Sequence, residues 1–265
     1  MMSKKDGTTP RHGRKADRCG DQESQPGQRV PQRRTGTSAK PPDKDVAEFL
    51  AQLKSISPVS SAGRGRLVFA MDATMSRQAT WDMALGLQAE MFRAVKQIGD
   101  LDIQLVYFRG AGECRASKWV SNPDALSRLM TTVHCAGGFT QIGKVLTHTT
   151  SETKLRKVSA LVYVGDCMEE EVDVLCGHAG ELAIHGVPVF IFQEGSDQQA
   201  ELAFREIARL TKGAYCRFNT GAAAQLRELL SAVAVYAAGG RAALSDYSQR
   251  HGGRAARLLI EQMKS

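Results

Sequence analysis

The chain is short of aromatic residues (6%) and of long apolar runs; the stretch Leu229 to Ala238 is among its longest. A membrane-spanning helix needs roughly 20 apolar residues, so no helical span is expected. The amino terminus, Met1-Met2-Ser3-Lys4-Lys5-Asp6, carries basic residues with no apolar segment behind them, which argues against a secretory signal and for a cytoplasmic protein. The six cysteines (Cys19, Cys114, Cys135, Cys167, Cys176 and Cys216) show no C-x-x-C spacing, so they read as free thiols that pack as small hydrophobes. Cys176 and His178 would make half of a zinc site, but no second pair stands at a suitable spacing. Three catalytic signatures are missing as well: the G-x-S-x-G elbow, the G-x-x-x-x-G-K-[ST] phosphate loop and the H-E-x-x-H zinc helix.

What is present suits one globular domain with flanking segments: 265 residues, 42% hydrophobic and 24% charged. The net charge of +7 is unevenly spread. Residues 1–45 hold 11 Lys/Arg against 6 Asp/Glu, residues 241–265 hold 5 against 2, and the body between holds 19 against 20. Residues 1–41, rich in Gly, Ser, Thr, Pro, Gln and Arg and without periodicity, read as a disordered basic tail. Residues 42–65 read as a short amphipathic helix (Val46, Phe49, Leu50, Leu53) followed by a linker, residues 66–240 as the folded domain, and residues 241–265 as a basic segment ending in a helix over Arg254 to Met263. Basic tails attract nucleic acid, anionic lipid or an acidic protein face. Without interleaved aromatics to stack on bases, nucleic acid is the lesser of these readings.

From Arg66 onward strand and helix signals alternate. The expected strands are Leu67 to Met71, Ile103 to Phe108, Cys114 to Val120, Ser159 to Val164, Val187 to Phe192 and Ala214 to Phe218. Helices are expected over Thr80 to Ile98, from a start at Asn122-Pro123-Asp124, from Ile142, and over Glu169 to His185, Asp197 to Thr211 and Ala222 to Ala238. The Gly110-Ala111-Gly112 turn folds the third strand back on the second as a hairpin. The fold expected is a three-layer, doubly wound α/β domain: a mostly parallel six-stranded sheet, one antiparallel edge strand, and helices on both faces.

Ligands in such sheets gather at the carboxyl ends of the strands. Asp72 and Asp166 each end an apolar run there, and Thr140 follows a Gly-Gly loop. Asp72, Thr74 and Ser76 stand at every second position, so an extended backbone points all three oxygen-bearing side chains one way. Two carboxylates and three hydroxyls, with no His or Cys, suit a hard cation such as Mg²⁺ or Mn²⁺. Taken singly, each residue is also an ordinary turn or helix-cap residue; their order along an alternating strand and helix pattern is what gives them weight.

That constellation resembles the metal-ion-dependent adhesion site of von Willebrand factor A domains. The matching stretches are Asp72-Ala73-Thr74-Met75-Ser76, Gly137-Gly138-Phe139-Thr140 and Val164-Gly165-Asp166. Three positions depart from the familiar pattern: Thr74 stands where Ser is usual, Phe139 separates the glycines from Thr140, and Cys167 follows Asp166 where Gly is common. The resemblance implies that Thr74, Ser76 and Thr140 are hydroxyl ligands and that Asp72 and Asp166 act directly or through water. It also implies a non-enzymatic adaptor or assembly factor, whose protein partner brings an Asp or Glu to the ion over apolar contacts from Ala73, Met75, Phe139 and Met168. Intracellular relatives suggest ATPase chaperones among such partners. A second reading resembles a haloacid dehalogenase-type phosphohydrolase, with Asp72 as nucleophile, Lys157 on the phosphate, and Asp166 with Glu170 holding Mg²⁺. It leaves Ser76 and the Gly-Gly-Phe-Thr loop without a role, and Thr74 stands where its second acid is usual.

Overall fold

The structure, a computed structural model, describes residues 64–96, 99–219 and 222–250. The helices expected near residues 46–53 and 254–263, and nearly all of both basic tails, lie outside the described residues.

Six strands form one sheet: β1 (Gly65–Asp72), β2 (Leu101–Arg109), β3 (Glu113–Ala116), β4 (Ala160–Gly165), β5 (Val189–Glu194) and β6 (Ala214–Phe218). Their order is β3-β2-β1-β4-β5-β6, and every pairing is parallel except β2 with β3. The chain builds outward from β1 to β2 and β3, then crosses to β4 on the other side. The sheet order therefore reverses between β1 and β4, which is where an open α/β sheet leaves a crevice for a ligand.

Two layers of helices cover the sheet: α1 (Gln78–Val95), α2 (Pro123–Thr131) and α6 (Ala223–Arg250) on one face, and α3 (Ile142–Leu155), α4 (Val172–Ile184) and α5 (Gln198–Leu210) on the other. Strand alternation assigns each residue its layer. Leu67, Phe69 and Met71 enter the first core, and Val68 and Ala70 the second. All of β1 is buried, as a central strand covered on both faces must be. The expected three-layer, doubly wound fold with one antiparallel edge is the fold observed.

Several element ends differ from expectation for local reasons. The edge strand stops at Ala116 because Ser117 Oγ, not a main-chain carbonyl, takes the Leu105 N–H at 3.0 Å; the Ser117 N–H still donates to Leu105 O at 2.8 Å, and regular pairing returns as a single bridge, Ile103 with Val120. Strand β5 runs two residues past Phe192, because Gln193 and Glu194 still pair with Arg217 and Phe218 of β6 although neither is apolar.

Helix α6 passes the Gly239-Gly240 pair, but Gly240 has φ 69° and ψ −164°, outside helical geometry. Tyr247 lies within hydrogen-bonding reach of the Ser231 hydroxyl. A straight helix would set these residues about 24 Å apart, so the segment after Gly240 folds back along the one before it. Leu244 joins the first core and Tyr247 packs against it. This return explains why every residue from Leu229 to Ala238 is buried. Among the described residues no helix is long and apolar enough to cross a membrane, and Cys114, Cys135, Cys167, Cys176 and Cys216 are free.

Candidate metal centre

Met71 pairs with Val164, so Asp72 and Asp166 leave adjacent strands at one rim of the sheet. Asp72 Oδ1 accepts the Thr74 N–H at 2.7 Å, which turns the chain sharply after β1. Thr74 Oγ1 lies 3.3 Å from Ser76 Oγ, and Ser76 Oγ donates to Asp166 Oδ2 at 3.2 Å. Four of the five expected ligands therefore form one continuous run of oxygens. Ser76 sits in a single 3-10 turn, Met75–Arg77, and caps no helix.

Two carboxylate oxygens in this run, Asp72 Oδ2 and Asp166 Oδ1, are buried and have no hydrogen-bond partner. Such atoms are costly unless something else satisfies them. Burial is the main cause that pushes the Asp72 carboxyl up to about 6; the Thr74 hydrogen bonds oppose it and the Asp166 charge adds to it. Orphaned carboxylate oxygens beside two hydroxyls fit a hard divalent cation by the chemistry of the donor set, and the neighbouring Cys167 thiol, which burial pushes up to about 12, stays protonated and is no competing sulfur ligand.

Thr140 is placed indirectly. Its hydroxyl accepts the Glu169 N–H at 3.0 Å, and its own N–H donates to Glu169 Oε2 at 2.9 Å, which ties its loop to the residues just after Asp166. No hydrogen bond joins it directly to the other four residues. Glu170 accepts from the N–H groups of Ile142 (2.6 Å) and Gly143 (2.9 Å) and so caps α3. With Glu169 and Glu170 committed in this way, α4 begins only at Val172, three residues later than expected.

Main-chain bonds lace the turn after β1 and the loop before Thr140 to the end of β2 and its turn: Ala73 N–H to Phe108 O, Ala136 N–H to Ala73 O, and Phe139 N–H to Gly110 O. Gly138 has to be glycine here, because a Cβ would lie 2.2 Å from the Gly110 nitrogen. Met75 and Phe139 stand on the rim, each 65% exposed. Ala73 and Met168, expected beside them, are buried instead. Ala73 is held by main-chain bonds on both sides, and Met168 packs into the second core.

Two charged residues at the rim carry no signal in the Asp-hydroxyl pattern. Arg77, 7% exposed, puts Nη1 2.6 Å from Glu194 Oε2 and Nε 3.3 Å from Asp166 Oδ2. Glu194, at the carboxyl end of β5, is 2% exposed and also accepts from the Thr80 hydroxyl. Placing β5 beside β4 is what makes Glu194 a neighbour of the site.

Other expected participants fall elsewhere. Lys157 precedes β4, at the opposite end of the strand from Asp166, where its Nζ donates to Gly186 O at 2.9 Å and to His185 O. His178 Nδ1 lies 3.4 Å from Thr147 Oγ1, and among the described residues no group of three or more His, Cys, Asp or Glu is placed to hold a metal.

A sheet that reverses order beside its first strand, with loops from both halves converging on one rim, defines a doubly wound α/β fold, and the antiparallel edge strand β3 gives it the form found in von Willebrand factor A domains. Solved structures share it. One is a von Willebrand factor type A protein from Catenulispora acidiphila (TM-score 0.55, 15% identity, covering 67% of this chain and 43% of that one). Another is the pilus adhesin SpaC from Lactobacillus rhamnosus GG (TM-score 0.52, 9% identity, covering 72% and 31%). A third is proximal thread matrix protein 1 from the mussel byssus (TM-score 0.50, 17% identity, covering 68% and 47%). This chain spans less than half the length of each, and at these identities the likeness is one of fold. No family model and no curated protein matches the sequence.

Proposed function

We propose that this chain is a divalent-cation-dependent protein-interaction module, an adaptor or assembly factor without catalytic activity of its own. One observation carries the reading: the unpartnered, buried oxygens Asp72 Oδ2 and Asp166 Oδ1 stand beside the Thr74 and Ser76 hydroxyls at the point where the sheet order reverses. Asp72, Thr74, Ser76 and Asp166 would hold Mg²⁺ or Mn²⁺, with Thr140 completing the set from the third loop. A bound cation would supply a hard positive centre that accepts a carboxylate oxygen from the partner's Asp or Glu. Met75 and Phe139 supply apolar contact area around it. An ATPase chaperone is one class of partner consistent with this role.

The hydrolase reading is weaker on two counts. It asks Lys157 and Glu170 to serve the site, and both side chains are engaged elsewhere, Lys157 at the far end of β4 and Glu170 at the cap of α3.

The test is calorimetric titration of MgCl₂ and MnCl₂ into the full chain, beside Asp72→Ala and Thr140→Ala, with a general phosphatase assay on the same samples. Saturable binding that both substitutions abolish, without turnover, is the expected result. Turnover that is lost in Asp72→Ala and kept in Thr140→Ala would replace this reading with the hydrolase, and no binding in the unsubstituted chain would remove the cation from it.

A further inference from the structure

The rim already holds one cation of its own. The Arg77 guanidinium is fixed from three sides: Nη1 on Glu194 Oε2 at 2.6 Å, Nη2 on the Ser76 carbonyl at 3.2 Å, and Nε facing Asp166 Oδ2 at 3.3 Å. These contacts are unequal. The Glu194 contact is a short, charge-assisted hydrogen bond between two side chains less than 10% exposed, whereas Nε makes no hydrogen bond at all and meets Asp166 only as a nearby charge. Glu194 thus anchors the guanidinium, and Asp166 feels it. A fixed positive charge at that range, screened little by water, lowers the negative potential that a divalent ion would seek.

Glu194 acts in the opposite sense. Its second oxygen, Oε1, is buried without a hydrogen-bond partner, so its charge is neutralised mainly through Arg77 and the Thr80 hydroxyl on Oε2. The pair is therefore a charge lever built into β5 and the turn after β1, with its positive arm against one carboxylate of the site.

We propose that Arg77 is a built-in competitor for the cation at Asp166, held in place by Glu194, and that this pair sets how tightly the site binds Mg²⁺. The proposal rests on reading Asp72 and Asp166 as cation ligands. It makes the affinity for the free ion low by construction, so that a partner's carboxylate adds a large share of the charge that retains it. Arg77 and Glu194 are positioning residues: neither touches the ion.

The sign of two substitutions tests the proposal. MgCl₂ is titrated calorimetrically into the full chain at fixed ionic strength, with circular dichroism confirming that each variant is folded. Arg77→Gln leaves Glu194 uncompensated and should tighten Mg²⁺ binding by roughly tenfold or more, while Glu194→Gln leaves Arg77 uncompensated and should weaken it by a similar factor. The double variant, which removes the buried pair as a unit, should fall between them. A purely structural role would weaken binding in both single variants, and that result, or no change in either, overturns the proposal. Should Arg77→Gln fail to fold, the double variant decides beside Glu194→Gln: binding tighter in the double variant than in Glu194→Gln upholds the proposal, and binding equal or weaker there overturns it. If the unsubstituted chain binds no Mg²⁺, the functional reading above loses its cation, yet the lever is still decided. Saturable binding gained in Arg77→Gln upholds it, and none in Arg77→Gln overturns it.

Discussion

Ser76 Oγ donates to Asp166 Oδ2 at 3.2 Å, joining the turn after β1 to the loop after β4 across 90 residues of sequence. This contact closes the run of oxygens that begins at Asp72, and it leaves Asp166 Oδ1 free of any hydrogen bond. Ser76 therefore links the two carboxylates, and its removal should separate what the fold needs from what the cation needs.

Ser76→Ala is expected to lower stability by no more than about 1 kcal/mol, because the hydrogen bond is exposed and single bonds of this kind contribute little. Its larger effect should be on the rise in melting temperature that MgCl₂ produces, which the variant loses. Thermal melts with and without MgCl₂ measure both quantities, and a variant that keeps the full MgCl₂-dependent rise would show that Ser76 is no ligand.

Asp72 should leave a mark on the pH dependence of folding. Its carboxyl is pushed up to about 6 from an ordinary 3.8, chiefly by burial. Between those values the folded state keeps a proton that the unfolded chain has lost, so this group favours folding at the acid end of the window. Its contribution falls as pH rises through the window, by roughly 2 to 3 kcal/mol in all. Urea unfolding at pH 4.5 and pH 7 in EDTA, compared between the unsubstituted chain and Asp72→Asn, isolates the effect: Asp72→Asn should lack this part of the decline. Equal declines in both would place its origin elsewhere.

Gly240 holds a backbone conformation, φ 69° with ψ −164°, that side chains strongly resist. Gly240→Ala should cost about 1–3 kcal/mol and loosen the return segment first. Hydrogen exchange is the check: amides of residues 241–250 should lose protection before those of β1 or β4.

Met75 and Phe139 are each 65% exposed, so changing both to Ser should shift stability by less than about 0.5 kcal/mol each and leave Mg²⁺ affinity unchanged. Urea midpoints and calorimetry test this. A clear loss of stability would mean that the two side chains pack within the domain and are not held out for a partner.

The limits of local reading show most clearly at Glu194. Apolar runs such as Leu67 to Met71 and Ser159 to Val164 made central strands legible, because a strand covered on both faces must be apolar at every position. Asp72 and Asp166 were legible for the same reason, as carboxylates ending such runs, and Thr74 and Ser76 followed from the two-residue period of an extended chain. Ala73 and Met168 show where that reading stops: position on a loop says nothing about whether a side chain faces water or a core. Arg77 and Glu194 are 117 residues apart, and neither follows a local pattern that links it to the other.

Sequence alone determined the alternation of strands and helices and the oxygen-rich turn, since both depend on the spacing of neighbouring residues. Only the tertiary structure decided which strands stand side by side. The order β1-β4-β5 brings Asp72, Asp166 and Glu194 to one rim and puts Arg77 between two of them, because burying both faces of the sheet under helices fixes neighbours that no local spacing encodes.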